Sequence, residues 1–348
     1  MNQLQGIAEP LVQWYQKNKR ILPWRIEKDP YKIWISEIML QQTRIEAVKE
    51  YYHRFMLALP TVNNLASIEE EKLLKLWQGL GYYNRARNLK KAATIIKDEY
   101  HGIMPSCYDD LVKLPGIGEY TAGAIASIAY NEKVTAVDGN VLRVISRIIG
   151  SRKNVLEEST KKEITAMLTS VIPKEAGDFN EGLMELGETI CLPNQDPLCE
   201  KCPLKQYCYA YENSVASELP VREKKQKKET EGKTVFLFMT EEGKVAIRKR
   251  PNKGLLAGLY EFPNEDQVLS IKEIEQVAQT YQLKIESIKK AGKYKHIFTH
   301  KIWQMHGHKA VVSEENKEFL WVTMEQLKKE YPIPTAFQPF VKLLEKIQ

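Results

Sequence analysis

Four cysteines crowd one stretch of the chain, Cys191, Cys199, Cys202 and Cys208, in the spacing C-x7-C-x2-C-x5-C. Four thiols this close in sequence can hold a metal, either zinc or an iron–sulfur cluster, and the uneven spacing suits zinc less. A fifth cysteine, Cys107, stands alone as a spare thiol. A second signal is LPGIGEYTAGAI (114–125). Glycines at 116 and 118 let backbone N–H groups turn outward where a small-residue helix begins, an arrangement that receives a phosphate. An ordinary tight turn between two helices fits the same residues. Tyr120 follows the second glycine and reads equally as a packing aromatic.

Two carboxylates complete the set. Glu37 lies at the edge of an apolar helical stripe, next to Ile38. A partly buried carboxyl keeps its proton near neutrality and can serve as a general acid. An exposed helix glutamate is the plain alternative. Asp138, in VDGNV (137–141), precedes a helix, and an N-cap is its plain role.

The elements that must position these residues are helical up to about residue 210. In SEIMLQQTRIEAVKEYYHRF, Ile38, Ile45, Val48, Tyr52 and Phe55 recur at helical spacing, and the segments EEKLLKLWQGL, ARNLKKAATIIKDEY and VLRVISRIIG repeat the theme. Residues 214–232 are polar, contain Pro220 and carry Lys224, Lys225, Lys227 and Lys228, which reads as a linker. From Thr234 the pattern becomes α+β. TVFLFMTEEGKVAIRKR predicts two strands turning at Gly243, SIKEIEQVAQTYQ a helix, HIFTHKIWQMHGHKA and EFLWVT strands, and TAFQPFVKLLEKI a closing helix.

The 348 residues exceed one ordinary core and predict more than one domain. The net charge of +6 permits a polyanionic partner. The apolar stretches are too short to span a membrane, and the N-terminal segment lacks a signal-type apolar core. The expected location is the cytoplasm. There the cysteines read as a metal site and not as disulfides.

The quoted motifs, with PWR (23–25), WISEIMLQQTR (34–44), GLGYYNRARN (79–88), FNEGLMELGETIC (179–191), LLAGLYEFP (255–263) and FTH (298–300), resemble the helix-hairpin-helix DNA glycosylases, and within them the MutY-type adenine DNA glycosylases. The resemblance implies a multidomain chain: an all-α helix-hairpin-helix core with an iron–sulfur loop, and an α+β Nudix-like C-terminal domain. It places the helical catalytic region at 1–213, with a six-helix part at about 25–132 and a cluster-bearing part at about 1–24 and 133–213. The linker is 214–232 and the Nudix-like lesion-recognition domain 233–348.

The implied activity is monofunctional removal of adenine mispaired with 8-oxoguanine, and with guanine, from duplex DNA by a monomer. The resemblance assigns Glu37 to protonation of adenine N7 and Asp138 to the cationic sugar, with Tyr120 and Asn140 in support. The pairing follows glycosidase logic. Tyr120 stands where the endonuclease III branch has a nucleophilic lysine, and tyrosine carries no amine for a Schiff base. Trp24, Arg25, Ile45 and Glu181 match adenine-pocket positions. A flipped base leaves a gap in the duplex, which Gln42 and Tyr82 would fill. Arg85 and Arg87, with Gly116 and Gly118, are the DNA-contact candidates.

Cys191, Cys199, Cys202 and Cys208 would bind a [4Fe–4S] cluster that orders a loop containing Lys201 and Lys205 against phosphates. The family's first cysteine gap is usually six residues; here LPNQDPL supplies seven. Phe298, Thr299 and His300 stand where the family has a Phe-Ser-His lesion-reading loop. NEDQVLSIKEIEQVAQ lacks the glutamate-rich Nudix helix, so phosphohydrolase activity is not expected. A glycosylase with lyase activity, a non-catalytic lesion-binding protein and a DNA-tethered nucleotide hydrolase are the alternative readings.

Overall fold

The computed structural model of the chain describes residues 4–223 and 228–346; Lys224, Lys225 and Lys227 of the expected linker lie outside the described residues. Two compact units emerge. One joins residues 1–67 to 88–225, and the other joins 68–87 to 226–348.

Helices dominate the first part of the chain: α1 (Ala8–Asn18), α2 (Pro30–Leu40), α3 (Ile45–Ala58), α4 (Val62–Ser67), α5 (Glu70–Leu76), α6 (Asn84–Glu99), α7 (Tyr108–Leu111), α8 (Glu119–Tyr130), α9 (Gly139–Ile149), α10 (Glu158–Thr169), α11 (Ala176–Thr189) and α12 (Tyr209–Glu212). Helix α2 starts where the sequence says it should. Pro30 takes the first turn, where its missing N–H costs nothing, and the Asp29 side chain accepts from the Lys32 amide.

The small residues of α8 permit close helix packing. A Cβ on Gly123 would stand 2.2 Å from the Thr135 carbonyl oxygen, so the backbone leading to Asp138 lies directly against α8. Asn180 of α11 fixes the same backbone. It accepts from the Ala136 amide and donates to the Val134 carbonyl, fully buried. Helices α1, α8 and α9 pack on α11, and α2 packs on α8. The shared core includes Leu11, Val141, Ile145, Phe179, Leu183 and Leu186.

The second unit is built on a sheet of β1 (Glu229–Met239), β2 (Val245–Lys249), β3 (Tyr260–Glu261), β4 (Asn264–Glu265), β5 (Ile285–Ile297), β6 (Lys301–Val312) and β7 (Leu320–Val322). The order is β3-β2-β1-β6-β5, with β4 against β1 and β7 against β2; β1 and β6 run parallel. Helix α13 (Ile271–Thr280) covers part of one face with Ile274 and Ala278 against Phe236, Phe238 and Ala310. Helix α15 (Gln338–Glu345) covers the other with Phe340 and Leu344 against Trp303 and Met305.

The observed boundaries differ from the expected ones in three places. Strand β1 begins at Glu229, inside the segment assigned to the linker, because residues 229–232 pair in register with 301–304 of β6. The expected strand through 296–310 is interrupted at 298–300 by the turn of the β5–β6 hairpin, closed by the Phe298 amide on the Lys301 carbonyl at 2.8 Å. Residues 68–87, assigned to the helical region, pack instead with the sheet unit. Lys75 Nζ donates to the Tyr331 carbonyl at 2.8 Å and Arg87 Nη2 to the Ala257 carbonyl at 2.5 Å.

Candidate active site

In the first unit, α2, α8, α9 and α11 converge on a cavity of about 500 Å³, a size that receives a nucleoside-sized ligand. Glu37, Tyr120, Asp138, Asn140, Trp24, Arg25, Ile45, Glu181 and Gln42 all line it. Residues singled out from separate stretches of sequence thus share one space.

Glu37 is the buried centre, only 7% exposed. The Tyr120 hydroxyl donates to its Oε2 at 2.5 Å. Burial pushes the Glu37 carboxyl up to about 7; the Tyr120 hydrogen bond pulls it down, and the nearby Asp138 and Glu181 carboxylates push it up again. Near neutrality Glu37 is therefore poised between holding and releasing a proton, the condition a general acid requires. Tyr120 titrates well above the ordinary tyrosine value, first through burial and then through the Glu37 charge, so it remains a hydrogen-bond donor.

Asp138 does cap α9: the Val141 amide donates to its Oδ1 at 2.8 Å. Its second oxygen accepts from Asn140 Nδ2, also at 2.8 Å. Burial raises the Asp138 pKa and these hydrogen bonds oppose the rise. The capping and chemical readings are therefore compatible, since one oxygen serves the helix while the other is steered by Asn140. Asn140 is held in turn by Arg143, which reaches its Oδ1 at 3.0 Å and also donates to the Gly187 and Cys191 carbonyls.

Around the carboxyls runs an ion-pair chain. Arg25 meets Glu181 at 3.0 Å and Glu185 at 2.8 Å, while Arg20 meets Glu185 and Glu188 at 2.6 Å each. Trp24 packs edge-on against Tyr52, 5.3 Å between ring centroids. Sequence reasoning missed Met184, Glu185, Glu188, Arg20 and Arg143. A signal for some of them was present. Glu181, Met184, Glu185 and Glu188 recur at i, i+3, i+4 and i+7, one face of α11. Met184 and Glu188 line the cavity, and Met184 sulfur lies 3.2 Å from the Tyr120 hydroxyl.

The two hairpin glycines differ. Gly116 has φ +78 and a Cβ there would clash with Asn88 at 2.6 Å, so the fold itself demands glycine. Gly118 has an ordinary extended φ of −88, and nothing lies within 4 Å of its missing Cβ. Neither its backbone nor a neighbouring atom within the protein demands glycine at 118. Its bareness leaves the start of α8 open to an approaching group.

Gln42 is exposed, with φ +60. Tyr82, in the second unit, is half exposed with φ +48. Non-glycine residues rarely adopt this backbone, which persists only where the surrounding structure holds it. The neighbouring arginines have protein partners. Arg85 lies over the Trp77 and Tyr82 rings, and its Nη2 donates to the Leu80 and Gly81 carbonyls. Arg87 bonds to Glu70 and the Ala257 carbonyl.

At the 298–300 turn, Phe298 packs edge-on against Trp303, 4.7 Å between centroids, while Thr299 and His300 are exposed. The Thr299 hydroxyl lies 2.8 Å from the Tyr82 hydroxyl.

Cys191, Cys199, Cys202 and Cys208 line one apolar pocket beside Arg147, whose Nη1 donates to Cys191 sulfur at 3.2 Å. Four thiols, apolar walls and one cation suit a polynuclear thiolate cluster. Among the described residues no three His, Cys, Asp or Glu side chains are gathered to hold a single metal ion. At the end of the seven-residue gap the Leu198 amide returns to the Ile190 carbonyl at 2.9 Å. Lys201 is exposed, but Lys205 is bound to Glu200 and lies over the Tyr211 ring, which corrects its expected freedom to meet phosphates.

Residues 35–174 match the HhH-GPD superfamily of base excision DNA repair proteins, and residues 234–343 match the NUDIX domain. An adenine DNA glycosylase from Buchnera aphidicola is 34% identical, over 98% of this chain and 96% of that protein. One from Schizosaccharomyces pombe is 32% identical over 93% and 86%, and the human enzyme is 33% identical over 73% of this chain and 56% of its own. A thermostable thymine-DNA glycosylase superposes with a TM-score of 0.55 at 30% identity, covering 61% of this chain and 97% of its own. Endonuclease III trapped as a covalent DNA intermediate gives 0.52 at 26%, over 62% and 99%. With two carboxyls, one tyrosine and one asparagine converging on the cavity, and with relatives matching nearly end to end, the chain belongs to the adenine DNA glycosylase family.

Proposed function

We propose that this chain excises adenine paired with 8-oxoguanine, and also with guanine, from duplex DNA, without cutting the strand, as a monomer. The observation that carries this reading is the buried Glu37–Tyr120 pair sharing its cavity with Asp138 and Asn140.

Adenine is a poor leaving group until protonated. Glu37, with its proton retained up to about pH 7, delivers one to the extruded base as the glycosidic bond breaks. Positive charge then develops on the sugar. Asp138, fixed by the Val141 amide and Asn140, supplies a preorganised anion that requires no rearrangement at the moment of reaction. Glu37, now ionised, is the base that activates water. The cavity lining includes no lysine among the described residues, so an amine-driven strand cut has no agent there. The Arg25–Glu181 pair holds the wall against which the purine rests.

The second unit reads the opposing base. Thr299 offers a hydroxyl at an exposed turn, and Tyr82 offers an aromatic wedge. Gly118 and the amides that open α8 accept a phosphate of the flipped strand. The four cysteines would hold a [4Fe–4S] cluster with a structural role, tying α11 to the segment 191–208.

The test is adenine release from duplexes placing adenine opposite 8-oxoguanine, guanine or thymine, by the wild type and by Glu37→Gln. Release confined to the first two and lost in the variant supports the reading. Release by Glu37→Gln at the wild-type rate overturns it, and borohydride trapping of a covalent DNA adduct overturns the monofunctional assignment.

A further inference from the structure

Strand β5 carries Lys290, Lys293 and Lys295, all exposed. Pairing with β6 sets Lys290 opposite His308, Lys293 opposite His306 and Lys295 opposite Gln304. Opposed residues in an antiparallel pair share a face. The same face continues one way into Ile288 and Ala310, covered by α13, and the other way to Ile297 and Ile302, which flank the 298–300 turn. Along β5 this face is exposed, basic and contiguous with the turn, while His308 and Thr234 further into the sheet are buried.

One carboxylate shares this face: Glu265 of β4 lies opposite Thr234 of β1, with β6 between it and Lys293. Glu231 of β1 lies opposite Trp303, on the other face, where it binds the Trp303 indole and Lys301. None of the three lysines forms an ion pair among the described residues. Their field reaches the neighbouring histidines. Burial first, and then the lysine charges, hold His306 and His308 below the ordinary histidine pKa.

We propose that Lys290, Lys293 and Lys295 form a phosphate-tracking strip that engages the DNA backbone. The proposal rests on the adenine-excision reading and adds to it a sequence-independent grip carried by the sheet. Charge complementarity selects the occupant. Lys293 and Lys295, two apart on the strand, stand roughly 7 Å from one another, on the scale of the through-space separation of neighbouring phosphates along one DNA strand, and Lys290 lies further along the same face beyond the β5 bulge. A protective role is the competing account, because β5 ends the sheet and edge lysines deter strand addition.

The experiment compares the wild type, Lys290→Gln/Lys293→Gln/Lys295→Gln, and Lys317→Gln, an exposed lysine beyond β6. Affinity for an undamaged duplex and for the adenine:8-oxoguanine duplex is measured across a KCl series. The strip predicts that the triple variant loses affinity for both duplexes alike. The slope of log K against log[KCl] should fall by roughly 2 to 3, since each phosphate contact contributes about 0.9. Single-turnover adenine release at saturating protein should be unchanged, and Lys317→Gln should match the wild type. An unchanged slope in a folded triple variant overturns the proposal, as does aggregation of that variant with wild-type DNA affinity in its soluble fraction. Loss of adenine release by the wild type would instead count against the activity reading, leaving the slopes to judge the strip alone.

Discussion

The cavity of the first unit and the 298–300 turn of the second solve opposite problems. Glu37 is buried, hydrogen-bonded and charge-coupled to Asp138 and Glu181, whereas Thr299 is exposed and touches one neighbouring hydroxyl. Chemistry on a glycosidic bond needs a carboxyl whose proton affinity has been raised, and at Glu37 removal from water is the largest cause, with neighbouring carboxylates adding to it. Reading a base needs a group that can still exchange its partner. A reading hydroxyl must therefore be cheap to release, and a catalytic carboxyl costly to disturb. Mutations in the two regions should differ accordingly.

The largest effect falls on Glu37. Glu37→Gln keeps the shape and removes the proton donor, so single-turnover excision should drop by about a thousandfold, within the range for general acids, while mispair binding persists. Wild-type activity should fall as pH rises through about 7, because the protonated acid is then lost. The folded pKa lies above the unfolded value of 4.5, so the favourable contribution is complete below that pH and disappears as pH climbs toward 7. Glu37→Gln should consequently stabilise the protein more at pH 8 than at pH 4, by roughly 3 kcal/mol at about 1.4 kcal/mol per pKa unit. Melting curves at the two pH values decide this, and equal shifts would remove the claim that the site stores a desolvated acid.

Asp138 comes next, and it separates two functions of one side chain. Asn is as good an N-cap as Asp. Asp138→Asn should therefore retain melting temperature to within a degree or two while losing about a hundredfold or more in excision rate. Asp138→Ala should lose both, with about 1 kcal/mol of stability gone with the cap. If the Asn variant instead excised at near wild-type rate, Asp138 would be a cap and nothing more.

How far the cavity could be read from sequence follows from which interactions are local. Glu37, Tyr120 and Asp138 each have a plain reading taken singly, and these residues and Asn140 are picked out by the family motifs around them and not by their types. Glu188 and Arg20 do not. Their significance lies in an ion-pair chain between α11 and the segment after α1, which no local pattern encodes. Tyr120 shows the intermediate case. Its position was legible, but its 2.5 Å hydrogen bond to a residue on another helix was not. In the second unit, the strands before Gly243 and the helix after Ser270 follow their periodicities. The 298–300 turn was hidden because Phe298 and Ile302 continue the apolar alternation across it. The attachment of residues 68–87 to the sheet unit was equally hidden, since it depends on Lys75 and Arg87 finding backbone carbonyls far along the chain.

Moderate effects belong to the reading turn. Thr299→Ala removes the hydroxyl, and the preference for 8-oxoguanine over guanine should weaken about fivefold, the worth of one hydrogen bond near 1 kcal/mol. Tyr82→Phe deletes the partner hydroxyl while keeping the ring, so it should shift the same ratio by less. Neither should alter the pH profile of excision. Identical opposing-base ratios in wild type and Thr299→Ala would show that the turn is structural and not discriminating.

The smallest expected change in DNA binding separates a support from a contact. Arg85 has its pKa lowered to about 10 by burial, lies over the Tyr82 ring and donates to the Leu80 and Gly81 carbonyls. A guanidinium so placed holds the backbone that carries Tyr82 through its Nη2. Arg85→Gln should therefore lower stability by about 1–3 kcal/mol, the range for losing buried charge-assisted hydrogen bonds. It should leave the salt dependence of binding to undamaged duplex unchanged. A phosphate contact would behave in the opposite way, taking roughly 0.9 from the slope for little loss of stability. Arginine in a motif next to an exposed tyrosine invites the second reading from sequence, and denaturation together with a KCl series on one variant distinguishes them.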